Sequence, residues 1–142
     1  MIDIENMIFT RLAELLRSAF SGISVYPEYV ELPASFPCVT IVEADNKVPK
    51  STRDLSGVEH YAQIMYEINV YANDSSGKKA RAKNIANTVD DEMTALGFTR
   101  IFRGQVPNID RTIYRITIRY EGIVREAQDV GGKTVYQLFT TR

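Results

Sequence analysis

The sequence predicts an α+β domain: a single, mainly antiparallel, twisted sheet of about four to six strands with two helices packed on one face. Three observations carry that expectation. Residues 61–72 and 112–125 alternate apolar and polar side chains at a period of two, as strands with one covered face do. Residues 3–20 and 77–96 repeat apolar positions every three or four residues, as helices with one covered face do. Glycine, proline and short polar clusters separate these stretches, and strands and helices in mixed order with a solvated strand face suit a layered α+β arrangement. The chain of 142 residues, 44% hydrophobic, is sized for one domain over 1–142, large enough to bury about two thirds of its unfolded surface.

Taking the elements in order, residues 3–20 place Ile4, Met7, Ile8, Leu12, Leu15, Leu16 and Ala19 on one stripe, with Asp3 as N-cap and Gly22 as the stop. Arg11, Glu14, Arg17 and Ser18 fall off that stripe and read as solvated or partner-facing. Prolines 27, 33 and 37 make residues 26–36 an edge or an extended connection, since proline cannot donate to a ladder. Residues 38–43, rich in β-branched side chains, read as a strand. Residues 45–59 read as a long loop or hairpin tip, functional or disordered. The strand 61–72 turns Ile64, Tyr66, Ile68, Val70 and Ala72 one way. The polar run 73–77 then supplies cap candidates for a helix whose buried stripe is Ala82, Ile85, Ala86, Val89, Met93 and Leu96. Gly97 is expected as the left-handed residue after it, with Phe98 folding back toward Met93. Residues 98–103 return as a strand and 104–108 turn. The strand 112–125 shows Tyr114, Ile116, Ile118, Tyr120 and Val124 on one face and Arg115, Thr117, Arg119, Glu121 and Arg125 on the other. Gly131-Gly132 then marks a hairpin, so that residues 126–142 form a C-terminal hairpin or arm that completes the sheet or docks on another subunit.

Composition restricts the function classes. Seventeen Lys and Arg nearly cancel eighteen Asp and Glu, so no global field draws the molecule to nucleic acid or an anionic membrane. Cys38 is the only cysteine, which fits a reducing compartment and a small core residue. The acidic start lacks the basic end and apolar run of a signal peptide, and no apolar run has the length of a membrane span, so a soluble intracellular protein is expected.

No motif carries catalysis. Residues 72–79 (ANDSSGKK) sit between strand and helix as a phosphate-binding loop does, but Ala72 stands where the first glycine belongs and Lys79 replaces the hydroxyl for Mg²⁺. An anion at this helix start, helped by Lys78, is a weaker reading. His60 is the sole histidine, without a neighbouring ligand or a nucleophile elbow, and Asp90, Asp91 and Glu92 fan around a helix as a solvated patch. Neither catalytic, cofactor-binding nor metal-ligating residues are therefore assigned. Arg111, Arg115, Arg119 and Arg125, with Arg100 and Arg103 nearby, are the one nucleic-acid candidate, interrupted by Glu121.

Charge order on the second helix is unusual. Lys78, Lys79, Arg81 and Lys83 crowd its start and Asp90, Asp91 and Glu92 its end, the reverse of what the helix dipole favours, at roughly 0.3 to 1 kcal/mol per exposed charge. Head-to-tail copies in a ring would neutralise both ends. The expected subunit or partner interface is therefore these seven residues, the loop charges Lys47, Lys50, Arg53 and Asp54, and the strand arginines Arg115 and Arg119.

Four runs, FPCVTIVEADN at 36–46, YEINVYA at 66–72, DDEMTALGF at 90–98 and NIDRTIYR at 108–115, together resemble the small tail-terminator or tail-completion proteins of long-tailed bacteriophages and prophages. That resemblance implies an α+β subunit of an oligomeric ring, commonly hexameric, that caps the tail tube, ends its polymerisation and offers a surface for joining the head. It implies no catalysis and no cofactor. The implied partners are further copies of the chain, the tail-tube protein and head-tail connector proteins. The implied locations are the bacterial host cytoplasm during assembly and then the virion tail. A neck or head-completion protein is an alternative of the same class, and a nucleic-acid or anion-binding module using Arg111, Arg115 and Arg119 is one of another class.

Overall fold

A computed structural model describes residues 2–30, 32–48, 61–107, 110–128, 130–131 and 134–139. Its elements are α1 (Glu5–Ala19), β1 (Ser24–Tyr26), β2 (Cys38–Lys47), β3 (Tyr61–Ala72), α2 (Lys78–Ala95), β4 (Thr99–Gln105), β5 (Tyr114–Gln128) and β6 (Thr134–Phe139). The strands form one six-stranded sheet in the order β1-β2-β3-β5-β4, with β6 also paired to β5. All pairings are antiparallel except that of β1 with β2. The α+β architecture is as the sequence predicts.

Strand β5 organises the sheet. Residues 114–125 pair with β3 along one side, while the other side is shared end to end, β4 taking Ile116 to Glu121 and β6 taking Ile123 to Gln128. The alternation of the sequence is realised on the helix-covered face, where Ile64, Tyr66, Ile68, Val70, Ile118, Tyr120 and Val124 are fully buried. Ile8, Leu12 and Leu16 of α1 and Ala82, Ile85, Val89 and Met93 of α2 join them in one apolar cluster. At about 1.5 to 3 kcal/mol for each large side chain buried, this cluster is what holds two helices that would be marginal alone.

Several local expectations are met and several are corrected. Helix α2 ends as a Schellman turn: the Phe98 amide donates to the Met93 carbonyl and the Gly97 amide to that of Thr94, with Gly97 at φ 99°. Its start falls within the expected run 73–77: Gly77 occupies the N-cap position at φ 82°, with no side-chain cap hydrogen bond. Asp3 is not the N-cap of α1. Ile4 holds that position, and the Asp3 carboxylate accepts from the Glu5 amide one step earlier. On α1 the buried positions are Ile8, Leu12, Ala13 and Leu16, while Met7 is 45% exposed and Ala19 lies outside the core.

Boundaries move for identifiable reasons. Strand β2 continues through Lys47 because Met65, Ile64 and Gln63 supply ladder partners to Asp45, Asn46 and Lys47 after a bulge at Ala44, so the loop expected from residue 45 starts later. Strand β4 runs to Gln105, beyond the expected turn at residue 104, with a bulge at Ile101. Strand β5 begins at Tyr114 instead of residue 112 because Asp110 holds a turn, accepting from both the amide and the hydroxyl of Thr112.

The second sheet face is not uniformly solvated. Cys38, Tyr71 and Ile113 are buried there, with Tyr26 and Phe36 against them, so the connection after β1 covers one corner. Thr40, Asn69 and Thr117 are buried in a polar row beside it.

Candidate functional site

Of the ten described charges that sequence reasoning marked for a neighbour, six have partners within the chain. At the start of α2, Lys78 donates to the carbonyls of Arg111 and Thr112, each at 3.2 Å, and Arg81 pairs with Asp74 at 3.5 Å. The would-be phosphate turn thus spends its lysine on two backbone carbonyls and holds its own carboxylate, Asp74, against Arg81. Lys79 and Lys83 remain exposed.

At the other end of α2, Asp90 accepts from Arg100 at 3.0 Å and from the Tyr120 hydroxyl at 2.9 Å, and Glu92 pairs with Arg11 of α1 at 2.6 Å. The carboxylates do fan apart, but only Asp91 is left exposed. Asp90 and Glu92 are only 22% and 20% exposed and act as tethers from α2 to β4 and to α1, correcting the expectation of a solvated patch. Each such pair contributes about 0.2 to 1 kcal/mol, the same size as the dipole penalty, so the domain offsets most of its own charge order.

On the open sheet face, Arg115 and Arg119 point away from the helices as expected, but both are engaged. Arg115 lies between two rings, 5.5 Å from the centre of Tyr71 and 5.6 Å from that of Tyr29, and donates to the Asn69 side-chain oxygen at 3.0 Å. The buried Thr117 hydroxyl donates to that same oxygen. Arg119 donates to Glu67 at 3.1 Å and lies over Phe102. Arg111 stands apart in the turn before β5, so the four arginines do not make one basic stripe. Lys47 is exposed at the end of β2, whereas Lys50, Arg53, Asp54 and His60 lie outside the described residues.

Burial governs the titration of the groups nearest to chemistry. The Cys38 thiol is pushed up to about 11 by burial, which keeps it protonated and unreactive at neutral pH. Burial also raises the Tyr71 hydroxyl to about 12, against the pull of Arg115. Burial is the largest cause raising the Glu43 carboxyl, followed by the charges of Glu5 and Asp3, while Tyr66 and Asn46 nearby work the other way. One Glu43 oxygen is buried with no hydrogen-bond partner among the described residues. Among the described residues no three His, Cys, Asp or Glu side chains converge as a metal site would need, and no helix is long and apolar enough to cross a membrane.

The chain matches no protein-family model and no curated protein. Its surfaces must therefore be judged on their own chemistry.

Sequence reasoning missed one such surface. Strand β4 is at the sheet's edge, and its Ile101 and Phe102 are 47% and 43% exposed. They line an open groove of about 530 Å³ together with Arg100, Arg103 and, from α2, Lys83. The signal was available in TRIFRGQ, two adjacent apolar residues between arginines, but strict alternation would have sent one of them inward. The bulge at Ile101 is what leaves both exposed.

Proposed function

We propose that the chain is a structural subunit of an oligomeric ring that caps a bacteriophage tail tube, ending its polymerisation and presenting a surface to the head. The support from the fold is one arrangement. Lys47 and Tyr61, which bound the β2–β3 connection, and Gln128 and Thr134, which bound the β5–β6 connection, all lie at the same end of the sheet. Residues 73–77, and Gln105 and Tyr114, which bound the β4–β5 connection, lie at the other end. The lateral edges, β2 beyond its three residues of pairing with β1 on one side and β4 on the other, have no further strand partner among the described residues. A subunit built this way separates the edges that can meet neighbouring copies from the ends that can meet a tube below or a connector above. Of the loop charges expected at an interface, Lys47 is described and stands at one of those ends. The engagement of Arg115 and Arg119 by Asn69, Glu67 and aromatic rings weighs against the nucleic-acid alternative, since their guanidinium groups would have to leave internal partners to reach phosphates.

Incubation with polymerising tail-tube protein, followed by electron microscopy, tests the proposal. The expected result is shorter tubes of uniform length with added density at one end. Unchanged tube length and bare ends would remove the tail-capping function.

A further inference from the structure

We propose that the acidic free edge of β2 in one copy pairs with the basic free edge of β4 in the next, extending one sheet across the boundary. This rests on the oligomeric part of the function proposed above but needs no tail tube. Strand β2 is paired with β1 only through Thr40, so among the described residues 41–47 have no strand partner on their outer side; they carry Glu43, Asp45 and Lys47, with Asp3 and Glu5 close enough to raise Glu43 and the Asn46 side chain donating to the Ile2 carbonyl. The opposite edge, β4, carries exposed Ile101 and Phe102 between Arg100 and Arg103, with Lys83 beside them. The first edge is acidic on balance, the other basic, and among the described residues neither has a further strand partner on its outer side, the kind of edge that attracts another strand.

Register makes the match specific. Glu43 pairs with Tyr66, Tyr66 with Tyr120, and Tyr120 with Arg100, so the two charges terminate a single row across the sheet on the helix side. The next row, on the open side, runs Val42, Glu67, Arg119, Phe102 and ends in two apolar residues. Strand β2 runs against β3, β3 against β5, and β5 against β4, so β2 and β4 point in opposite directions. A rotation about an axis along the strands keeps each row level and therefore lays β4 of one copy antiparallel to β2 of the next. Arg100, which holds Asp90 through Nη1, then comes level with Glu43, one of whose buried oxygens has no hydrogen-bond partner among the described residues, and Phe102 with Val42. The pairing stops at Thr40, where β1 already occupies the edge. Because the two surfaces differ, the contact is heterologous and repeats around a ring or along a filament.

A thiol cross-linker with a short spacer reads this contact directly. The double variant Val42→Cys/Phe102→Cys is expected to give a ladder of dimers, trimers and longer species on a denaturing gel. An equal mixture of the two single variants should stop at dimers, and neither single variant should cross-link to itself. Asp45→Lys, at an exposed position, is expected to weaken association in sedimentation at least tenfold while its monomer unfolds like the parent. No ladder from the double variant, cross-linking of a single variant to itself, or a parent chain that stays monomeric at high concentration and low salt would each overturn the proposal. A ladder without any effect on tube length keeps the edge contact and discards the tail function. Capped tubes without a ladder do the reverse.

Discussion

The two faces of the sheet are built from the same strands and solve different problems. On the helix side, Ile64, Ile68, Val70, Ile118 and Val124 are interchangeable in kind: apolar, buried and held by the two helices. On the open side charged and polar residues have particular partners: Arg115 with Asn69 and two tyrosines, Arg119 with Glu67 and Phe102, Gln63 with Glu121. The first face is stabilised by area removed from water, the second by placement of individual groups, so the first should dominate stability and the second should set local order.

Truncation on the helix side is expected to destabilise most. Ile68→Ala is expected to cost about 2 to 5 kcal/mol in denaturant unfolding, as cavities in packed cores do. A loss below that of an open-face substitution would contradict the division. Gly122→Ala acts in the opposite sense, by overfilling. A Cβ there would lie 2.7 Å from the Phe98 ring, which packs edge-on against Tyr66 at 5.5 Å between centres, so about 1 to 3 kcal/mol is expected, with loss of order at the start of β4.

On the open side, Arg115→Ala removes two ring contacts and one hydrogen bond from the covered corner, for a loss near ~1 kcal/mol in the same measurement. Arg119→Ala, whose side chain is 49% exposed, should cost less than about 0.5 kcal/mol. Should Arg119 prove as costly as Ile68, the open face is a second core.

Glu43 sharpens the contrast at the boundary between the two. Its folded carboxyl titrates above the ordinary range, so the stability linked to its protonated form is fully present below the unfolded-state value and is lost as pH rises through the folded one. Glu43→Gln abolishes that loss. Unfolding of monomer followed against pH should show the variant matching the parent in acid and exceeding it above the carboxylate range. Parallel curves throughout would show that Glu43 is not the group responsible.

The helix-side face was readable because its signal is periodic. Strand β3 spans the same 61–72 that alternation marks, and Ala82, Ile85, Ala86, Val89 and Met93 are the buried positions of α2. Even a break in the pattern has meaning there: position 122 of β5 holds glycine where an apolar residue belongs, and Phe98 fills the space. Partners on the surface were not readable, because they join residues far apart. Lys78 finds carbonyls 33 and 34 positions away, and Glu92 finds Arg11 at a separation of 81. Charge order along one helix therefore looked unpaired when the rest of the domain supplied most of the pairing. The bulges at Ala44 and Ile101 are equally silent in sequence, since each is an extra residue defined only by the strand opposite.

The shared flank of β5 bears on how the chain is made. Until β5 leaves the ribosome, β3 has no partner on that side, and neither β4 nor β6 has any place in the sheet. One side of β3, with its buried isoleucines, tyrosine and valine, must therefore wait for residues 114–125 before it is paired. Nascent chains ending before residue 114 should be recognised by chaperones and degraded, and complete chains should fold slowly for their size, because the decisive pairing joins segments some fifty residues apart.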